Sequence, residues 1–257
     1  MRLLWILALA ITPALPQTRL IFQDEFEGAA GSPPDPTKWT YDLGAGGWGN
    51  NELERYTDAR VNVEQDGRGH LLVRATKNSS GQFESARIKT QGRFSFTYGR
   101  VEARMKLPRG QGVWPAFWML GNDIQTVAWP ACGEIDIMEN IGREPNTIHG
   151  TIHGPGYSGA HGIGAPFVFE KSELPSDSYH VYAVDWRPNR IDFLVDGSVY
   201  QTITPEELPA GTKWVYDHRF FLLLNLAVGG SWPGAPDATT VFPQELSIDW
   251  IRVYSQE

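Results

Sequence analysis

Apolar and polar side chains alternate along much of this chain, with the two-residue period that is typical of half-buried β-strands. Within residues 101–107, Val101, Ala103, Met105 and Leu107 fall on one face and charged side chains on the other. We find no segment with the sustained 3.6-residue period of an amphipathic helix. The chain is therefore predicted to consist of short strands. The predicted strands are residues 20–25, 71–75, 101–107, 113–120, 135–139, 147–153, 180–186, 191–195, 198–203, 220–227 and 246–254.

Turn residues and buried runs indicate how these strands are arranged. Asp196 and Gly197 separate two strands and supply the positive φ angles of a two-residue hairpin turn. Residues 220–227 are apolar on both faces except for Asn225, so this strand is predicted to be central, and the Asn225 amide needs a hydrogen-bond partner. We predict an all-β fold with a single domain, a two-sheet antiparallel β-sandwich.

The composition agrees with strands joined by long loops. The 257 residues include 10 Trp, 9 Tyr and 12 Phe beside 27 Gly and 18 Pro, and the formal net charge is -8. A negative chain without a Lys/Arg-rich run is poorly suited to nucleic-acid phosphates. We expect a neutral substrate, no nucleic-acid or membrane partner, and a monomer. With one cysteine, Cys132, no intramolecular disulfide can form, and we expect a packed free thiol.

The N-terminal residues have the pattern of a secretory signal peptide. Arg2 precedes a short apolar run at residues 3–11, which is too short to span a membrane. The alternative is a buried first strand. We predict a signal peptide at residues 1–16, one domain at residues 17–257, and a secreted protein that is extracellular or periplasmic.

Aromatic residues occur on one strand and in several loops. Trp114 and Trp118 share a face of the predicted strand 113–120, where a core position is the alternative to a binding role. Rings beside carboxylates suit sugars, because the C–H faces of a sugar stack on rings while its hydroxyls need polar partners. Five other aromatic residues lie in Gly-rich loops, where core packing is a poor explanation: Trp48, Tyr56, Trp129, Tyr157 and Trp232.

Residues 133–140, GEIDIMEN, place three carboxylates among apolar side chains. In a regular strand Glu134 and Asp136 share one face, whereas Glu139 points to the other. A β-bulge at Ile137 and Met138 would return Glu139 to the face of the other two acids, and bulges are frequent beside active sites. We therefore predict a bulged strand with all three acids on one surface.

Two neighbouring carboxylates can hydrolyse a glycosidic bond. One attacks the anomeric carbon and the other protonates the leaving oxygen, while the third acid can hydrogen-bond to the nucleophile and help to separate the two pKa values. Two alternatives remain for this cluster, namely acids that protect an exposed edge strand from aggregation and a calcium site. The apolar Ile135, Ile137 and Met138 disfavour an edge strand.

Motifs along nearly the whole chain after residue 16 resemble glycoside hydrolase family 16, and most closely its bacterial endo-β-1,3-glucanases, the laminarinases. The order Glu-Ile-Asp-Ile-Met-Glu at residues 134–139 is specific to the family. Its two residues between Asp and the second Glu resemble the bulged branch that includes laminarinases, agarases and carrageenases. The other matching stretches are residues 47–54, 94–107, 114–119, 150–154 and 249–254.

The resemblance implies a concanavalin-like jelly roll, a retaining mechanism and no cofactor for catalysis. Glu134 takes the position of the nucleophile, Glu139 that of the acid/base and Asp136 that of the assisting aspartate. The implied activity is endo-hydrolysis of β-1,3-glucan, with mixed β-1,3/1,4-glucan as a further substrate. Two alternatives keep the fold: a non-catalytic β-glucan-binding lectin, and a hydrolase of another polysaccharide such as agarose or carrageenan.

Positions that bind substrate also follow from the resemblance. His153 corresponds to a histidine near the leaving group. However, His149, Thr151 and His153 share a face, so the two histidines could equally be structural residues or a metal pair. The remaining candidates for substrate binding are Asn50, Arg93, Trp114, Trp118, Trp129 and Trp232.

A structural calcium ion is implied as well. Family members often bind calcium far from the cleft, with an aspartate of the final strand and backbone carbonyls near the first strands. Asp249 fits that aspartate, and Glu27 and Gly69 are the candidates for the other contacts.

Overall fold

The computed structural model describes residues 18–170 and 172–255, so the predicted signal peptide at residues 1–16 lies outside the described residues. Regular structure within these ranges is almost entirely β. The strands are β1 (Arg19–Asp24), β2 (Thr40–Asp42), β3 (Glu54–Tyr56), β4 (Val63–Gln65), β5 (Leu71–Lys77), β6 (Phe83–Ser85), β7 (Arg87–Lys89), β8 (Gly99–Lys106), β9 (Val113–Gly121), β10 (Glu134–Glu139), β11 (Thr147–His153), β12 (Ile163–Val168), β13 (His180–Arg187), β14 (Arg190–Val195), β15 (Ser198–Ile203), β16 (Phe220–Val228) and β17 (Gln244–Ser255). Two 3-10 turns span Gly159–His161 and Pro205–Glu207.

The strands form two facing sheets, which confirms the predicted β-sandwich. One sheet has ten strands, in the order β15-β14-β13-β8-β17-β5-β6-β3, with β1 beside β17 and β4 beside β5. The other has seven strands, in the order β12-β11-β10-β9-β16-β7-β2. Neighbouring strands are antiparallel except for the parallel pair β3 and β6. The strand with the three acids, β10, thus lies well inside the seven-stranded sheet.

All eleven predicted strands are present, with ends that differ by at most two residues. The predicted hairpin turn is confirmed, because Asp196 and Gly197 have φ angles of 49° and 79° and Val195 pairs with Ser198. Six strands were not predicted. Five of them have only three residues, too few for a visible alternation, and the sixth is interrupted by Gly164 and Pro166. These six strands are β2, β3, β4, β6, β7 and β12.

The core lies between the two sheets, and the alternation of the strands explains it. Every second side chain of β8 is buried, whereas all nine residues of β16 are buried, as expected for a central strand. Cys132 is a buried free thiol, as predicted. The sequence interpretation was wrong for two aromatic residues: Tyr56 belongs to strand β3 rather than a loop, and both Tyr56 and Tyr157 are fully buried, so core packing does explain them. Among the described residues, no helix is both long and apolar enough to cross a membrane.

Candidate active site

A β-bulge in β10 brings the three acids to one face. Asp136 pairs with Trp118 of β9 and Glu139 pairs with Ala116, although Asp136 and Glu139 are three residues apart and Trp118 and Ala116 only two. The register shift lies between Asp136 and Met138. The predicted bulge at Ile137 and Met138 is therefore confirmed. Both of these apolar side chains are buried in the core.

The neighbouring strands complete the same face. On β9, Ala116 separates Trp114 from Trp118, and its small side chain leaves space opposite Glu139. On the other side of β10, His153 of β11 pairs with Glu134, and His149 pairs with Glu139. The acids thus lie between a strand with tryptophans and a strand with histidines.

Each carboxylate has a defined neighbour. The indole Nε1 of Trp129 donates a 2.7 Å hydrogen bond to Oε2 of Glu134. The indole Nε1 of Trp114 donates a 2.9 Å hydrogen bond to Oε1 of Glu139. Oδ2 of Asp136 lies 3.1 Å from Nε2 of His153. The two outer acids therefore bind tryptophans, and the middle acid faces the histidine.

Burial raises the pKa of all three carboxyl groups. Desolvation is the largest cause for each of them, and the negative charge of Asp136 adds to the rise in the pKa of Glu134 and Glu139. His153 lowers the pKa of both glutamates, as do Trp129 for Glu134 and Trp114 for Glu139. The pKa of Glu139 is raised well above its ordinary value, so we expect Glu139 to keep a proton to higher pH than a solvated glutamate does. Burial also raises the pKa of Glu134, to about 8, so the direction of the shift is the same for both glutamates and does not by itself separate a nucleophile from an acid/base.

Two adjoining cavities above this face form one cleft. Their volumes are about 270 and 590 Å³, and Glu134 and Glu139 line both of them. The other residues that line both cavities are Asn50, Trp114 and Trp129. The acids therefore lie at the junction of the two halves, with space for a bound chain on either side.

The two halves differ in their lining. The smaller one is lined by indoles and polar side chains, and the larger one by histidines and a glycine-rich segment of β12 and the loop before it. The smaller half adds Trp48, Glu52, Arg87, Trp118 and Asn225. The larger half adds His149, Thr151, His153, Gly162, Pro166 and Trp232.

Of the seven predicted substrate-binding residues, six line the cleft. Arg93 does not line either cavity, because it lies exposed in the turn after β7. Arg87 is the arginine that lines the cleft, and its guanidinium stacks 4.7 Å from the ring centre of Trp118 and forms an ion pair with Asp42. Its strand has three residues, too short to give a signal in the sequence. The six residues in the cleft are Asn50, Trp114, Trp118, Trp129, His153 and Trp232.

A hydrogen-bonded network supports the smaller half of the cleft. Trp118 Nε1 donates to Asn225 Oδ1 at 2.8 Å, and Asn225 Nδ2 donates to the Tyr56 hydroxyl at 3.2 Å. That hydroxyl donates to Glu52 Oε2 at 3.0 Å, and the other oxygen of Glu52 accepts from Asn50 at 2.9 Å. The buried Asn225 amide thus has the hydrogen-bond partners that the sequence required, and a series of hydrogen bonds connects Trp118 with Asn50.

The two histidines of β11 have different surroundings. His149 Nε2 lies 3.2 Å from Glu144 and its ring packs edge-on against Trp232, whereas His153 faces Asp136 and Glu134. They do not form a His–His metal pair. Within the described residues, the group of acids and histidines close enough to share an ion is Glu134, Asp136 and His153.

The predicted calcium position lies on the ten-stranded sheet. A Cβ atom on Gly69 would be 3.9 Å from the carbonyl oxygen of Glu25, so the chain near Gly69 approaches the segment just after β1. Asp249 lies in a register shift of β17, and its carboxylate forms an ion pair with Arg104. A guanidinium already balances that charge, so the Asp249 side chain fits a calcium ion only in part. Glu27 is exposed.

Comparison with known proteins agrees with this architecture. The sequence model of Glycosyl hydrolases family 16 matches residues 50–252. The chain is 41% identical over 252 residues to a Beta-glucanase of Rhodothermus marinus, covering 93% of this chain and 86% of that protein. It is 37% identical to Glucan endo-1,3-beta-glucosidase A1 of Niallia circulans, covering 95% of this chain but 39% of that protein.

Solved structures show the same fold. The crystal structure of the laminarinase catalytic domain of Thermotoga maritima MSB8 superposes with a TM-score of 0.87 at 44% sequence identity. The match covers 93% of this chain and 99% of that domain. Because the match covers nearly the whole chain, the similarity includes both sheets of the sandwich.

Proposed function

The chain belongs to Glycosyl hydrolases family 16, and we propose that it is a retaining endo-hydrolase of β-1,3-glucan. The observation that carries this proposal is the bulge in β10, which places Glu134, Asp136 and Glu139 on the floor of a cleft lined by tryptophans. The similarity to proteins named as glucan endo-1,3-β-glucosidase and laminarinase supports the choice of substrate.

The two glutamates divide the chemistry. Glu134, as a carboxylate, attacks the anomeric carbon while Glu139 donates its proton to the glycosidic oxygen, so the leaving chain departs as an alcohol and a glycosyl ester forms on Glu134. Glu139, now a carboxylate, removes a proton from water, which attacks the same carbon and frees Glu134. Two displacements at one carbon give net retention.

Asp136 and the indole N–H groups tune these steps. The charge on Asp136 opposes the charge on Glu134, and this opposition ends when Glu134 becomes a neutral ester. Trp129 stabilises the ionised form of Glu134, which is the attacking form. The chain thus supplies all the groups that the reaction requires, and no cofactor takes part in the steps proposed here.

The shape of the cleft favours a polymer that is cut internally. The catalytic residues lie where the two cavities meet, so sugar units fit on both sides of the scissile bond. Half-buried Trp114, Trp118 and Trp232 and exposed Trp129 offer rings for sugar stacking. The net charge of -8 disfavours a sulfated polymer. We include mixed β-1,3/1,4-glucan as a further substrate.

Two further elements belong to the proposal. Residues 1–16 have the signal-peptide pattern, which supports secretion of the protein. A structural calcium ion near Asp249 would stabilise the folded state by binding to it alone. Neither element takes part in the chemistry at Glu134 and Glu139.

Product analysis tests the function. The protein is incubated with laminarin, barley glucan, agarose and κ-carrageenan, and products are separated by size while the anomeric form of the new reducing ends is followed by NMR. We expect short β-1,3-linked oligosaccharides from laminarin, first released as the β-anomer. Cleavage of the galactose polymers alone, or release of the α-anomer, contradicts the proposal. Saturable binding of laminarin without turnover would instead support the lectin alternative.

A further inference from the structure

We propose that Glu134, Asp136 and His153 form an inhibitory site for a borderline divalent cation, with Zn²⁺ as the best fit. The cation would occupy the nucleophile, so the glucan could not be attacked while the ion is bound. The effect on turnover rests on the function proposed above, whereas the binding of the ion does not depend on it.

The three side chains come from two paired strands that hold them in place. Glu134 and Asp136 are two residues apart on β10, and His153 is the register partner of Glu134 on β11. One ligand atom from each residue lies within 4.8 Å of the other two. Nε2 of His153 is 3.1 Å from Oδ2 of Asp136 and 4.0 Å from Oε1 of Glu134.

The carboxylate oxygens that face His153 form no hydrogen bonds with other described residues. Oδ2 of Asp136 is buried in a side chain that is 3% exposed, and it has no hydrogen-bond partner within the part of the chain that the structure describes. Trp129 binds Oε2 of Glu134, while Oε1 points towards His153. Nε2 of His153 lies 3.1 Å from Oδ2 of Asp136 without forming a hydrogen bond of good geometry, and a cation between the two atoms would satisfy the buried acceptor.

The chemical types of the three ligand atoms favour zinc over calcium. One imidazole with two carboxylates suits Zn²⁺, whereas Ca²⁺ prefers oxygen ligands alone. Zinc–ligand bonds of about 2.0–2.2 Å place tetrahedral ligand atoms about 3.3–3.6 Å apart. The 3.1 Å between His153 and Asp136 is slightly shorter than this and the 4.0 Å between His153 and Glu134 is longer, so small rotations of the carboxylate side chains can bring both distances into the range. Three protein ligands leave the fourth position to water.

The surroundings of His153 indicate a weak, reversible site. A histidine that binds a metal normally donates its other ring N–H to an acceptor, and loss of that acceptor costs about 10- to 100-fold in affinity. Nδ1 of His153 is buried and lacks a partner among the described residues. Gly162 lies against it, since a Cβ there would be 2.6 Å from Nδ1. Weak binding suits an inhibitor rather than a structural ion.

Titration calorimetry of the intact protein with ZnCl₂, without glucan, tests the proposal. We expect saturable binding at one site, weakened by about 10-fold or more in His153→Gln and in Asp136→Asn. His149→Gln is the matched control, because His149 lies on the same strand and face but faces Glu144. Its zinc affinity should equal that of the wild type. Circular dichroism establishes whether each variant is folded. Because two ligand residues are replaced separately, the test remains possible if one variant does not fold.

Inhibition kinetics add a second readout. Zn²⁺ should raise the apparent KM for laminarin, and excess chelator should restore the initial rate. The proposal is overturned if zinc binding is not saturable. It is also overturned if His149→Gln and His153→Gln lower the zinc affinity equally. If zinc binds as expected but no glucan is hydrolysed, the site stands and the proposed function fails.

Discussion

The indole Nε1 of Trp129 lies 2.7 Å from Oε2 of Glu134, so a loop residue holds the carboxylate that we propose as the nucleophile. Trp129 is 45% exposed, and its ring is 6.3 Å from that of His153. One side chain thus has two roles: its ring lines the cleft, while its N–H stabilises the ionised form of Glu134.

Replacing Trp129 by Phe separates these two roles. The ring remains, but the N–H that lowers the pKa of Glu134 is lost. Because Glu134 must be ionised to attack, kcat/KM should rise with pH as Glu134 loses its proton. In Trp129→Phe the pKa of Glu134 is higher, so this rise should occur about one pH unit higher than in the wild type. Trp232→Phe is the control, since the Trp232 ring packs edge-on against Trp114. An unchanged pH profile in Trp129→Phe would contradict the role of its N–H.

The two glutamates should differ in chemical rescue. Replacing either by Ala should lower activity on laminarin by about three or more orders of magnitude, because attack and protonation are both required. In Glu139→Ala, a substrate with an activated aryl leaving group still forms the glycosyl ester on Glu134, and azide should give the β-glycosyl azide. In Glu134→Ala, azide attacks directly and should give the α-azide. NMR of the products distinguishes them, and reversed anomers would reverse the assigned roles.

Deletion of single residues tests the bulge. Deleting Ile137 turns β10 into a regular strand that still places Glu139 on the face of Asp136, whereas deleting Ile135 moves Glu134 to the opposite face. Each deletion removes a buried isoleucine, so both should lower the free energy of unfolding by about 2–5 kcal/mol. Only the Ile137 deletion should keep measurable activity on laminarin. Equal loss in both would mean that the bulge itself, rather than the shared face, is required.

Tyr56→Phe tests the network below the smaller half of the cleft. It removes the hydroxyl that joins Asn225 to Glu52, so Trp118 and Asn50 lose support. Tyr157→Phe is the matched control, because its buried hydroxyl donates to the carbonyl of Lys213. Both should lower the free energy of unfolding by about 1–3 kcal/mol. Only Tyr56→Phe should raise KM for laminarin, and a similar KM in the two variants would contradict a positioning role.

Chelation tests the calcium proposal. Added EDTA should lower the Tm of the wild type, because an ion bound only to the folded state stabilises it by mass action. Asp249→Ala should not respond to EDTA. Since that change also breaks the ion pair with Arg104, Arg104→Ala serves as the control and should keep its response. Equal Tm shifts in the wild type and Asp249→Ala would exclude Asp249 as a ligand.

The sequence alone determined eleven of the strands and the arrangement of the acids. Alternation with a period of two is a local property, so it identified strands as long as β8 and β11. The bulge followed from two consecutive apolar residues, Ile137 and Met138, between acids that share one chemical task. Local geometry then places Glu134, Asp136 and Glu139 on one face, whatever surrounds them.

Tertiary structure decided which of the other residues join that face. Tyr56 contacts Asn225, 169 residues further along the chain, and no local pattern reports such a contact. For the same reason Arg87, not Arg93, lines the cleft. His149 and His153 look equivalent on their strand, yet their neighbours differ: His149 lies beside Glu144, and His153 lies beside Glu134 and Asp136. Burial and hydrogen bonding depend on segments distant in the chain, so only the packed sandwich assigns them.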